Sequence, residues 1–98
     1  MATFVLLSKV SSEGVRQVKS LVEMEKEFGA QLKRQCPGVK RVDSYALLGP
    51  YDFLHIFEAA DAREAAKVAL IANFFGVAST QTLTAIPFSE FREIVEEL

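Results

Sequence analysis

The order in which strand-like and helix-like hydrophobic patterns follow one another constrains this chain more than any other feature. A short apolar run from Thr3 to Lys9, rich in large and β-branched side chains, reads as a strand. After Ser11-Ser12, apolar residues recur at helical spacing: Val15, Val18, Leu21, Val22, Phe28 and Leu32. Arg16, Lys19, Glu23, Lys26, Glu27 and Lys33 fill the other face. The serines suit an N-cap, and Cys36-Pro37-Gly38 ends the helix, because proline cannot continue it and glycine accepts a left-handed turn. Val39 to Leu48 and Asp52 to Ala59 are two further strands. The Gly49-Pro50-Tyr51 turn joins them, with proline presetting φ and glycine tolerating a positive one. Asp61 and Glu64 form a capping-box-like start to a second helix, which runs to Phe75 and stops at Gly76. Threonine-rich Ser79 to Ile86 is a fourth strand, and Pro87 opens a last helix with Phe88, Phe91, Val95 and Leu98 on one face.

This β-α-β-β-α-β order plus a C-terminal helix predicts an α+β fold, a split βαβ plait of ferredoxin-like type with a four-stranded antiparallel sheet. Residues 1–98 are expected to form a single domain. The first and third strands belong in the centre, and Phe4 to Leu7 and Phe53 to Phe57 are accordingly apolar on both faces. Lys40, Arg41, Asp43, Thr80, Gln81, Thr82 and Thr84 give the other two strands the polarity of sheet edges.

Helices cover one face of such a sheet, and the other face of the central strands is still apolar. The mean hydropathy of +0.19 is high for a soluble protein of this size and signals more apolar material than a small monomer conceals. A second copy of the chain is therefore the expected cover, giving a homodimer or a higher homo-oligomer. The second helix adds to this. Val68 to Ala72 and Phe74-Phe75 leave only Lys67 and Asn73 clearly polar over two turns, as in a helix buried all round. Either the C-terminal helix folds over it or dimers associate further.

Composition narrows the function. The net charge of −2 argues against nucleic acid as a partner, since its binders usually carry a basic face. Phe4, Phe53 and Phe57 resemble the stacking aromatics of RNA-recognition sheets, but the flanking glycine-and-basic pattern is missing. No apolar run approaches the roughly 20 residues that span a bilayer, and the N-terminus lacks a signal-peptide pattern, so a cytoplasmic protein without a membrane partner is expected.

The stretch Tyr45-Ala46-Leu47-Leu48-Gly49-Pro50-Tyr51-Asp52 resembles the GYD domain family, named for its Gly-x-Tyr-Asp turn. The likeness continues through Glu58-Ala59-Ala60-Asp61, Gly76-Val77, Thr80, Thr82 and Ala85, with Ala60 where relatives often have proline. It implies a dimeric α+β barrel of ferredoxin-like subunits. The same turn is similar to that of the effector domains of feast/famine regulators, which bind small molecules at subunit interfaces. No helix-turn-helix pattern precedes the domain here, so a whole regulator of that kind is not expected.

His55 is the one histidine, on a central strand. With a three-residue turn, Tyr45 lies opposite it, with Asp43, Leu47, Phe53 and Phe57 on the same face. A buried histidine beside a tyrosine and a carboxylate can be a general base, or simply a satisfied core side chain. Tyr51 and Asp52 at the turn are candidate ligand-binding residues with Tyr45 and His55; the plainer role for Asp52 is to accept backbone N–H bonds. One histidine and one cysteine do not make a metal site, no glycine-rich phosphate loop is present, and no cofactor is expected. Cys36, near a helix C-terminus, is expected to be inert. Lys33, Arg34, Lys40 and Arg41 form the one basic cluster, either a solvated rim or a seat for a phosphate or carboxylate. The leading expectation is a non-catalytic oligomeric module that binds a small molecule or partner at a subunit interface. The alternative is a cofactor-independent enzyme, similar to small monooxygenases or isomerases, with catalytic His55 as base and Tyr45 and Tyr51 as hydrogen-bond donors.

Overall fold

The computed structural model describes residues 1–10, 18–75 and 77–98. The expected caps at Ser11-Ser12 and the stop at Gly76 lie outside them. Four strands, β1 (Ala2–Val10), β2 (Lys40–Ala46), β3 (Phe53–Ala59) and β4 (Val77–Ala85), alternate with helices α1 (Val18–Gln35) and α2 (Ala62–Phe74), and α3 (Phe88–Glu96) follows. The sheet order is β2-β3-β1-β4 with every neighbour antiparallel. This is the ferredoxin-like plait, with the two doubly apolar strands in the middle.

The core lies between the sheet and the two long helices. Phe4 and Leu6 of β1 and Phe57 and Ala59 of β3 meet Phe28 and Leu32 of α1 and Ala65, Val68, Ile71 and Ala72 of α2. Phe4 and Phe57 are cross-strand partners, and their rings stack at 5.7 Å. The start of α2 follows the sequence pattern. Asp61 Oδ1 accepts the Glu64 N–H at 3.0 Å, while Glu64 Oε1 accepts the N–H of Ala60 at 2.8 Å.

The opposite face of the sheet carries Val5, Leu7, Leu54 and Ile56, all half-buried, and Leu83, which is exposed. No described element of the chain buries them. Helix α3 also has no buried residue, with Phe88, Phe91, Ile94, Val95 and Leu98 all exposed. It therefore does not fold over α2, where Leu70 and Phe74 stay 61% and 87% exposed. The radius of gyration, 14.6 Å, exceeds the about 13 Å of a compact chain of this length, consistent with a projecting arm.

The β2–β3 register differs from the one expected. Leu47 N–H donates to the Asp52 carbonyl at 2.8 Å, so the connection spans Leu48 to Tyr51 rather than Gly49 to Tyr51. Ser44, not Tyr45, then faces His55, and Tyr45 pairs with Leu54 on the opposite side of the sheet. A one-residue change in a loop inverts every side chain of the strand it feeds. A bulge between Arg41 and Asp43 then shifts the pairing once more, setting Arg41 across from Phe57 on the helix-covered side. Gly49 has φ +140°, the one place in the described chain where the backbone requires glycine's freedom.

Candidate functional site

The side chains with most chemical potential gather around His55, beneath α1. Its position on β3 alternates with Leu54 and Ile56 and shares a face with Phe53 and Phe57, so it points into the helix-covered side and is only 8% exposed. Ser44 Oγ lies 2.9 Å from Nδ1 and Arg41 Nη2 3.3 Å from the same nitrogen. Glu25 Oε2 is 3.7 Å from Nε2, and its other oxygen takes the Arg41 guanidinium in an ion pair. Arg41 also reaches Ser44 Oγ at 3.0 Å and lies over the Phe28 ring at 5.5 Å.

The network fixes the tautomer. A guanidinium can only donate, so the nitrogen facing Arg41 must be an acceptor. Nδ1 therefore carries the lone pair, and Nε2 carries the proton on the side of Glu25. Burial pushes the His55 pKa down, Glu25 pulls it up, and the Arg41 charge pushes it down again. The ring is held as a neutral base, but the lone pair that a base needs is already occupied by Ser44 and Arg41.

A cavity of about 40 Å³ reaches His55, lined also by Ser8, Met24, Phe28, Phe53 and Phe75. A site for one water takes about 10–15 Å³ of such space, and drug-sized ligands take several hundred. The space is that of a few waters.

The other candidate residues are elsewhere. Tyr45 is exposed on the opposite face, where its hydroxyl donates to Asp43 Oδ2 at 2.8 Å; this bond, with the Asp43 charge, raises the phenol pKa. The Tyr51 hydroxyl donates to Gln81 Oε1 at 2.6 Å, and Gln81 faces Leu7 on that same side. Asp52 serves the backbone: its Oδ2 accepts the Val10 N–H at 2.8 Å, and its own N–H donates to the Ser8 carbonyl at 2.8 Å. It ties the turn to the end of β1. The structure thus places His55 on one side of the sheet, both tyrosines on the other, and Asp52 at the end between.

Cys36 is buried, which raises its thiol pKa; Lys67 opposes this and Glu64 adds to it. The basic cluster is dispersed: Arg41 turns in to Glu25, Arg34 donates to Gln31 at 2.7 Å, and Lys33 and Lys40 are exposed. Among the described residues no group of His, Cys, Asp or Glu could hold a metal ion, and no helix is long and apolar enough to cross a membrane.

Sequence reasoning missed Glu25, Arg41 and Ser44 as partners of His55. One signal was readable: Glu25 stands four residues from Leu21 and three from Phe28, a carboxylate on the apolar stripe of α1.

Comparison with known proteins extends these observations. The profile of the family described as GYD domain matches residues 4–95. The chain is 39% identical over 90 residues to the glutamine synthetase and cystathionine beta-lyase binding protein of Thermus thermophilus, covering 92% of this chain and 94% of that one. Among solved structures it is similar to a protein of Thermus thermophilus, with TM-score 0.58 and 22% identity over 89% of this chain and 95% of that one. An Arabidopsis thaliana protein gives TM-score 0.65 at 13% identity, covering 89% and 95%. A putative antibiotic biosynthesis monooxygenase from Nitrosomonas europaea gives 0.57 at 15%, covering 89% and 98%. At these identities the likeness concerns the fold alone.

Proposed function

The chain belongs to the GYD domain family, and from that premise we propose that it is a non-catalytic homo-oligomeric module whose work is to bind an enzyme partner. The observation that carries the reading is the self-contained network at His55. Its acceptor nitrogen is taken by Ser44 and Arg41, its donor nitrogen faces Glu25, and the adjoining space holds only a few waters. The tyrosines that would complete a catalytic set are on the far side of the sheet, and a single β-layer separates them from the ring.

Protein binding is favoured by the relative from Thermus thermophilus, whose name describes a binder of glutamine synthetase and cystathionine beta-lyase. An enzyme of amino-acid metabolism is accordingly the partner class. Self-association is favoured by the sheet face bearing Val5, Leu7, Leu54, Ile56 and Leu83. Its apolar area repays covering at about 25 cal/mol per Å², and a twofold mate offers the same face in return. Tyr45 and Tyr51 lie on this face, where a second copy or a small ligand between copies would meet them.

The test is a binding titration against purified glutamine synthetase and cystathionine beta-lyase from the same organism. A saturable complex with either enzyme is expected, unchanged by His55→Gln. Failure to bind both enzymes overturns the partner assignment. A second reading keeps some support from the cavity at His55: a cofactor-independent enzyme acting on a very small substrate. It requires a reaction that disappears in His55→Gln, and Ser44 would first have to release Nδ1.

A further inference from the structure

Helix α3 is an arm with one greasy side that no described element of the chain covers. Phe88, Phe91, Val95 and Leu98 follow one another down one face, and Ile94 flanks them. Its polar side is acidic, with Glu90, Glu93, Glu96 and Glu97 against Arg92 alone. Such a helix is held in water at a cost that grows with its exposed apolar area.

The same fold offers a groove of matching character. About 800 Å³ of open space lies between α1 and the edge strand β2. Its floor is apolar, with Leu32, Val39 and Pro37, and the α1 wall presents exposed Ala30 at its middle, beside Gly29, where the Arg41 side chain crosses the helix. The small Ala30 side chain lets a second helix approach within the usual 8–10 Å or so of axis separation. Lys26 and Lys33, both exposed, stand along the wall, one turn to either side of Gly29 and Ala30. Basic residues flank an apolar floor, and an acidic amphipathic helix is its complement.

We propose that α3 of one copy docks in the α1–β2 groove of a second copy, so that the two arms clasp the dimer. The inference rests on the homo-oligomer proposed above. Strands β2 and β4 are the two edges of the sheet, and α3 leaves directly from β4. When two sheets meet face to face about a twofold axis along their strands, the β4 edge of each lies over the β2 edge of the other. That arrangement delivers each arm to the partner's groove. The occupant is thus a second copy, and the glutamates of α3 meet Lys26 and Lys33.

Cysteine cross-linking decides the matter. Chains carrying Ala30→Cys and chains carrying Val95→Cys are co-expressed, oxidised and resolved without reductant; buried Cys36 remains in both. A cross-linked pair containing one chain of each kind is expected, and Lys26→Glu with Lys33→Glu should slow its formation about tenfold at low salt. Glu93→Lys with Glu97→Lys should restore the rate. Sedimentation of the same samples separates the two readings. A dimer that never joins the two positions overturns the clasp alone, and a monomer overturns the oligomer with it. A link formed within one chain carrying both cysteines, at protein dilution that abolishes the mixed pair, also overturns the clasp.

Discussion

His55 offers a clean experiment because it is the chain's one histidine. In the unfolded chain it takes up a proton near pH 6.5, as histidines do. In the folded chain burial, opposed by Glu25 and aided by Arg41, holds its pKa below that value. The unfolded state therefore binds more protons just below pH 6.5, and stability must fall as the pH falls through that window. It is constant above the unfolded pKa and stops falling once the folded ring is protonated too. One proton sets a ceiling of about 1.4 kcal/mol per pH unit. The cavity beside the ring and the Glu25 carboxylate both soften the penalty, so the loss between pH 7.5 and 5 is expected to stay under the about 2 kcal/mol that this slope allows below pH 6.5. The assay is urea unfolding across that range at fixed protein concentration, on the wild type and on His55→Gln, which keeps a polar side chain for Ser44 but does not titrate. Subtracting one series from the other removes the carboxylates and the N-terminus. The wild type should lose its relative stability on acidification. Parallel curves, or a wild type that gains on acidification, would refute the neutral, buried ring.

Three further expectations follow from single bonds. Arg41→Leu should raise the His55 pKa and Glu25→Gln should lower it further, opposite shifts read from the imidazole proton in an NMR titration. Asp52→Ala leaves the Val10 N–H without its acceptor and should cost about 2 kcal/mol in chemical denaturation, with no change in oligomer mass. Asp61→Ala removes the N-cap of α2 and should cost about 1 kcal/mol, seen as a lower midpoint at unchanged slope.

The architecture was legible because it depends on periodicity, which is a local property. Central β1 and β3 announced themselves by apolar residues on both faces, and the α2 start by Asp61 and Glu64. The site was not legible, because it depends on register. A loop of Leu48 to Tyr51, closed by the Leu47–Asp52 bond, differs by one residue from the turn that the Gly-Pro-Tyr triplet suggests. That one residue sent Tyr45 to the far side and brought Ser44 to His55. The bulge beside Val42 had no sequence signal strong enough to place it, yet it sets Arg41 among Glu25, Phe28 and His55. Gly29 is part of that arrangement. A Cβ there would lie 3.0 Å from Arg41 Nη1, so the side chain crosses α1 where glycine leaves room. The exposure of α3 was equally unreadable, since an amphipathic pattern shows that a face needs cover and not which body supplies it.

The proposal that this chain works by association is tested most directly by its mass in solution. Sedimentation equilibrium at micromolar concentration should give at least twice the 10.9 kDa of one protomer, falling to a single protomer when Ile56→Asp places a charge on the open sheet face. A wild-type chain that sediments as one protomer at every concentration, still folded and with that face wet, would contradict it.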